Sequence, residues 1–375
     1  MNTVTAKKCF QFDLEKIKSA IRNIFQSQGF SSKLESLDSI LLKPNLLGAY
    51  DPERSVTSHP IFVAAVIEIL KDYNISISIF DNPGGSSKYK DVIQKTGMER
   101  VAKKYNVNLL EPVSGIKTFG SDPEYIISNR FLESEAIINL CKMKTHSYTF
   151  FTGAIKNTFG VVPGIAKANY HKLAPNPTNF AHYIVDIYNI VRDKIIFNLM
   201  DGIYGMDGDG PSNGKSKNFG VILGSENAIA LDFVATRMMG YNPYKIPITT
   251  IAAQSNSINL DEIIFEGDFE PDFILPDVNI KTSIRTNLIL RSLSAPFKNI
   301  IKKFFWTIPE FSEEKCNQCS QCVNFCPVNA LSWQEKSSAP VIDAEKCILC
   351  LCCVENCPQN AVTIKKSFLS KILIS

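Results

Sequence analysis

The chain carries no surplus of either charge: 40 lysines and arginines stand against 37 acidic residues in 375, a formal net charge of +3. The basic excess of a dedicated nucleic-acid binder is missing, so no nucleic-acid partner is expected. Nowhere do eighteen apolar residues run together, and a membrane-spanning helix is not expected either. The first residues include Lys7 and Lys8 but continue into Gln11, Asp13 and Glu15 rather than into the apolar core of a secretory signal. The expected location is therefore the cytoplasm. Neither G-x-x-x-x-G-K-[ST] nor G-x-G-x-x-G occurs, which removes a Walker A site and leaves a bound flavin without support. Histidine is scarce, four in all, and His59, His171 and His182 show no paired spacing for zinc. The remaining composition, 45% hydrophobic and 21% charged, is that of a globular chain, and its length predicts one large domain with a small one appended.

Cysteine is what the chain has in quantity: eleven, of which nine fall between Cys316 and Cys357. Cys316, Cys319, Cys322 and Cys326, followed by Pro327, spell C-x-x-C-x-x-C-x-x-x-C-P. Cys347, Cys350, Cys353 and Cys357, followed by Pro358, spell it again. Glu314-Lys315 before the first run matches Glu345-Lys346 before the second, and Asn329-Ala330 matches Asn360-Ala361, so the segment is an internal duplication. Three thiolates at this spacing wrap one face of an iron–sulfur cubane while the fourth reaches the other cluster. The expectation is two [4Fe–4S] clusters, one on Cys316, Cys319, Cys322 and Cys357, the other on Cys326, Cys347, Cys350 and Cys353. A segment this small has little core, so ligation should supply much of its folding free energy. Structural zinc is the bland alternative. Cys352, a ninth cysteine beside Cys353, and Cys9 read as small buried residues. Residues 310–366 resemble bacterial-type two-cluster ferredoxins, which implies single-electron transfer.

Residues 1–280 alternate short β-branched runs with helical patterns, which predicts an α/β domain with a mostly parallel sheet. Strands are expected at Ser39–Lys43, Ile75–Phe80, Ala136–Leu140, Ile195–Leu199 and Gly220–Leu223. Helices are expected at Pro60–Tyr73, Phe180–Val191 and Asn227–Gly240, the last capped by Ser225. Polar segments follow four of the strands: Lys43-Pro44-Asn45, then Asp81-Asn-Pro-Gly84-Gly85, then Cys141-Lys142-Met-Lys144-Thr-His146, then Asp201-Gly202. In parallel α/β sheets ligands bind beyond the carboxyl ends of strands, so these segments should converge on one crevice. Asp81 to Gly85 reads either as a tight turn or as a backbone nest for an anion. Lys142, Lys144, His146 and Lys156, with Asn157 and Gly160 behind them, interrupt an apolar neighbourhood and read as an anion-binding cluster. The acidic, glycine-rich stretch containing Asp201, Asp207 and Asp209 suits a hard metal or a flexible lid. It is not an EF-hand, because Pro211 takes a ligand position and no closing Glu follows.

Lys43-Pro44-Asn45-Leu46, the stretch from Asn139 to His146, Thr152-Gly153-Ala-Ile-Lys156-Asn157-Thr-Phe-Gly160, and Asp201-Gly202 through Pro211 resemble the family called "domain of unknown function 362". Members often end in a double-cluster ferredoxin; the resemblance implies a redox-active iron–sulfur protein and carries over no reaction. Residues 281–309 form a basic, apolar linker that is expected to pack between the modules, peripheral contact with an anionic membrane being the less favoured reading. Residues 367–375 form a tail. The favoured function is a reductase that relays electrons from the clusters to an anionic small molecule. Lys43, Lys142, Lys144 and Lys156 would hold its charge, Asn45 and Asn157 would orient it, and His146 would supply a proton. Asp81, Gly84, Gly85, Asp201, Asp207 and Asp209 complete the expected site. An electron donor or acceptor protein is the expected partner. The alternatives are a carrier or adaptor that docks a partner enzyme, and a redox-sensing or maturation protein.

Overall fold

A computed structural model describes residues 2–84, 87–112, 115–120, 123–174, 176–280, 307–335 and 337–367. Gly85, nearly all of the linker and most of the tail lie outside these residues. In chain order the large domain contributes strands β1 (Thr3–Lys8), β2 (Ser39–Pro44), β3 (Ser76–Ile79), β4 (Asn108–Leu109), β5 (Ile116–Phe119) and β6 (Tyr125–Ser128). They are followed by β7 (Ala136–His146), β8 (Phe150–Thr152), β9 (Ile195–Asp207), β10 (Lys215–Ser225) and β11 (Ile264–Gly267). The main sheet runs β11-β1-β10-β9-β7-β2-β3-β4, with β8 paired to β7 and β5–β6 a separate hairpin. β4, β3, β2, β7 and β9 are mutually parallel, whereas β10 is antiparallel to both its neighbours. The domain is thus α/β with a mostly parallel sheet.

Two cores explain why both faces of the sheet are apolar. Ile138 and Leu140 of β7 pack with Ile21, Phe62, Val66 and Val101 from the helices Leu14–Ser27, Pro60–Leu70 and Met98–Tyr105. Ile137, Cys141 and Met143 face the opposite side, against Ile184, Val234 and Ala252 from Pro177–Val191, Ala228–Met238 and Pro247–Ser255. Every residue of β7 is buried, as a central parallel strand requires.

Three strands run well past the sequence expectation: β10 spans Lys215–Ser225 rather than Gly220–Leu223, and β7 and β9 depart more informatively. β7 was expected to stop at Leu140 and continues to His146; β9 was expected to stop at Leu199 and continues to Asp207. Two of the four supposed polar turns are therefore strand. A buried lysine does not end a strand when the neighbouring strand supplies its counter-charge: Lys142 and Asp201 are direct register partners across β7 and β9. Asn227, not Ser225, caps the helix Ala228–Met238, accepting from the amides of Ile229 and Ala230, while Ser225 donates to the carbonyl of Thr3. Among the described residues no helix is long and apolar enough to cross a membrane.

The C-terminal module pairs β12 (Thr307–Phe311) with β15 (Val362–Lys366), and β13 (Leu331–Ser332) with β14 (Val341–Ile342), around two short helical turns, Gln321–Asn324 and Cys352–Glu355. The duplication is repeated in the backbone. Left-handed residues recur in matching positions, Gln318 with Leu349, Ser320 with Leu351 and Asn329 with Asn360. Cys353, Val354, Cys357 and Val362 belong to the same continuous core as Phe180 and Ile184, so the module is seated on the large domain.

Candidate functional site

Two glycines show how the Gly153–Gly160 segment is built. A Cβ at Gly153 would fall on the Asp232 carboxylate, which accepts from the amides of Ala154 (2.6 Å) and Ile155 (3.0 Å) and so anchors the turn Ala154–Asn157. Burial pushes the Asp232 carboxyl up to about 7 even though the two amides pull it down. A Cβ at Gly160 would fall on Oδ1 of Asp81 and Nζ of Lys43, which are themselves 2.8 Å apart in a buried ion pair. Spacing these glycines around Lys156-Asn157 brings the turn hard against the sheet.

Of the expected charge-holding lysines, two are already neutralised: Lys43 by Asp81, and Lys142 by Asp201 at 2.7 Å, both lysines fully buried. Lys144 instead donates to Oδ1 of Asn45 (2.9 Å) and to the carbonyl of Val56 (2.7 Å), with no carboxylate on it. From Asn45 an amide chain runs through the core. Asn45 donates to Asn157 (2.8 Å), Asn157 to Asn139 (2.7 Å), Asn139 to Asn198 (2.9 Å), and Asn198 to the carbonyl of Ser225 (3.2 Å). Each link polarises the next, and each of these four side-chain amides both donates and accepts. Asn45 and Asn157 thus hold Lys144 in place as well as facing the crevice.

The crevice is a cavity of about 70 Å³ at the carboxyl end of β2, bounded by both modules. Its large-domain wall includes Asp81, Gly84, Lys144, Thr152, Lys156 and Asn157, and two residues not anticipated from sequence, Lys167 and His171. Phe325, Cys352, Glu355 and Asn356 of the cysteine module form the facing wall. Burial, reinforced by the charges of Lys156 and Lys142, pulls Lys144 down to about 7. Burial likewise pulls Lys167 down to about 7, and lowers Lys156. Burial also pushes the Glu355 carboxyl up to about 7, against Lys156 and Lys144. His171 is held neutral, lowered to about 3 by burial and by Lys156.

His146 lies behind this wall. Its Nδ1 accepts from the amides of Tyr148 (3.0 Å) and Thr149 (3.3 Å), which leaves the hydrogen on Nε2, 3.4 Å from Oε1 of Glu355. Burial and the nearby lysines hold it well below its ordinary range, hence neutral. Asp201 binds Lys142 and the amide of His59 (3.2 Å), Asp207 accepts from the amide of Asn279 (3.2 Å), and Asp209 is exposed. None of the three lines the cavity. Gly85 lies outside the described residues.

The module is latched by the loop after β2. Tyr50 donates to the carbonyl of Glu355 (3.0 Å). Arg54, over the Tyr50 ring, donates to the carbonyls of Pro358 (3.2 Å) and Ser212 (2.9 Å) and to Asn360 Oδ1 (2.6 Å). The cysteines suit iron–sulfur clusters by donor chemistry and by setting. Cys326 and Cys357 each accept from the amide four residues on, Ala330 and Ala361, both at 3.2 Å, as cluster sulfurs do. The Cys322 thiol is pushed up to about 11, first by burial and then by the neighbouring charges of Cys357, Cys319 and Cys316. Cys353 is raised by burial and by Cys350, Cys347, Cys322 and Cys326. The fourth cysteine of each run thus acts electrostatically on the other run, Cys357 on Cys322 and Cys326 on Cys347 and Cys353.

Lys167 and His171 share one face of the helix Gly164–Leu173, four residues apart. That spacing was visible in the sequence, but the Val161-Val162-Pro163-Gly164 lead-in gave no helix signal. Glu355 had no local signal, since the cavity reaches it only through docking of the module.

The profile of the 4Fe-4S dicluster domain matches residues 315–361, and the module supports an electron-transfer role. A thylakoid-associated protein, sll1697, of Synechocystis sp. is 28% identical over 258 residues, covering 68% of this chain and 79% of that protein. Among solved structures, the lactate racemase apoprotein from Thermoanaerobacterium thermosaccharolyticum aligns with 15% identity and a TM-score of 0.40, over 60% of this chain and 54% of the racemase. A Thermotoga maritima protein aligns with 11% identity and a TM-score of 0.39, over 66% of this chain and 60% of its own. The profile of the domain of unknown function (DUF362) matches residues 40–237, more than half of the chain, and the protein belongs to that family.

Proposed function

We propose that the protein is a reductase in which the cysteine module delivers electrons to a small anion held in the cavity between the modules. One observation carries this reading: Cys352, Glu355 and Asn356, interleaved with the ligand-type cysteines Cys350, Cys353 and Cys357, form the wall facing Lys144 and Lys156. In this proposal Cys316, Cys319, Cys322 and Cys357 hold one [4Fe–4S] cluster and Cys326, Cys347, Cys350 and Cys353 hold a second. When bound, the clusters supply one-electron transfer. The chain supplies the rest: Lys144 and Lys156 hold negative charge, the amide chain from Asn45 to Asn198 fixes Lys144, and His146 stands behind Glu355 on the path for a proton.

Burial of the cysteines is uneven in a way that suits a relay. Cys319 is exposed, so an electron-donor protein has access to the first run, whereas Cys350 and Cys353 are buried and flank Cys352, which lines the cavity. Free thiols and iron–sulfur ligation suit a reducing compartment, and a cytoplasmic location is part of the proposal.

The test is anaerobic reoxidation of dithionite-reduced protein by a panel of reducible oxyanions, followed optically. The wild type should be reoxidised by at least one of them, and Lys156→Met should keep its iron and lose that reaction. Equal reoxidation of wild type and Lys156→Met by every oxidant would favour a carrier that only docks a partner.

A further inference from the structure

Polar groups converge on the cavity with bonding capacity unused. Thr152 Oγ1 and His171 Nδ1 are buried and make no hydrogen bond, Glu355 lines the cavity with its Oε1 turned to His146, and Lys156 faces Glu355 and Cys352 without a carboxylate in bonding contact. Buried polar atoms are nearly always satisfied, so orphans around one cavity point to something that fills it. The sum of charges says what. Asp81 is neutralised by Lys43, which leaves Glu355, among the described residues, as the single uncompensated carboxylate against Lys144, Lys156 and Lys167. Lys167 is held only by the carbonyls of Asn82 and Pro83, the latter at 3.2 Å. Water would satisfy the hydrogen bonds but not the positive charge that Lys144 and Lys167 carry below about pH 7; an anion answers both.

Size narrows the class. By this measure a water occupies on the order of 10–15 Å³, so about 70 Å³ holds roughly five atoms of that bulk. That is close to the bulk of a tetrahedral oxyanion. Thr152, Lys156, Lys167 and His171 approach from the large domain, and the cysteine module closes the site.

We infer that this cavity is a composite oxyanion site for a ligand of sulfate or phosphate size, held by Lys156, Lys167, Thr152 and His171. The inference deepens the reductase reading by naming its ligand class, and it rests on that reading only for the purpose of binding there.

The test uses the full-length, cluster-loaded, oxidised protein and anaerobic titration calorimetry, with sulfate and phosphate as probes and dimethyl sulfone as a neutral isostere. Saturable binding of about one anion per chain is expected, with no heat from dimethyl sulfone. Lys167→Met and Thr152→Val should each weaken sulfate by about tenfold or more, and Thr152→Ser should restore it, at unchanged iron content. Absence of saturable binding by either anion, or binding unaffected by both Lys167→Met and Thr152→Val, would overturn the inference. Anion binding without any reoxidation of reduced clusters would instead defeat the reductase reading and leave the site standing.

Discussion

Oε1 of Glu355 stands 3.4 Å from Nε2 of His146, one atom from each module, and neither has a hydrogen-bond partner. Among the described residues, the contact places the one unneutralised carboxylate of the cavity on the module that carries the cysteines, while its lysines come from the sheet domain. Docking therefore sets the charge of the cavity.

Removing that carboxylate should favour anions. Glu355→Ala is expected to tighten sulfate binding by about tenfold at pH 8, because a like charge beside the ligand is costly in a poorly solvated site. Titration calorimetry of variant and wild type checks the direction.

The Lys142–Asp201 pair joins β7 to β9 with both side chains fully buried. Lys142→Met should destabilise the large domain by about 3–5 kcal/mol, since it leaves Asp201 charged and unpaired. Adding Asp201→Leu should recover most of that loss. Urea unfolding followed by circular dichroism distinguishes the two variants.

Gly160→Ala puts a methyl group onto the Lys43–Asp81 pair. Overpacking of this kind costs about 1–3 kcal/mol, and the same unfolding measurement should show it. Unchanged stability of Gly160→Ala would contradict the close approach of the Thr158–Val161 segment to the Lys43–Asp81 pair.

What was legible in the sequence follows how local each signal is. The cysteine runs are contiguous and their spacing is their chemistry, so the module could be read outright. The helix Pro60–Leu70 and the central strands followed from apolar patterning. Polarity misled at Lys142 and Asp201, because the partner that makes each tolerable inside a strand lies 59 positions away in sequence. Lys156 and Asn157 were found as a local cluster. Lys167, His171 and Glu355 were not, since only tertiary packing brings them to Lys156.

Anion affinity should depend on pH through the lysines. Lys144, facing Lys156, Lys142, Glu355 and Asp81, and Lys167, facing Asp81, Lys43 and Lys156, are both depressed to about 7. Each is charged below that value and neutral above it. Sulfate, whose own charge is constant over this range, should therefore bind more tightly at pH 6 than at pH 8, and calorimetry at the two values tests the sign. The same depression means that the unfolded chain holds more protons between about pH 7 and the ordinary lysine range near 10.4, so these lysines make stability rise with pH across that window.

Cys326→Ala and Cys357→Ala should each lose about half of the iron, and each should disturb the cluster whose other three ligands lie in the opposite run. Iron analysis with spectra of the reduced variants checks it.

The most direct measurement is iron, sulfide and zinc analysis of anaerobically purified protein, combined with low-temperature paramagnetic resonance after dithionite reduction. About eight irons per chain and the overlapping signals of two neighbouring reduced cubanes are predicted. Zinc in place of iron, with no signal on reduction, would contradict the account at its base.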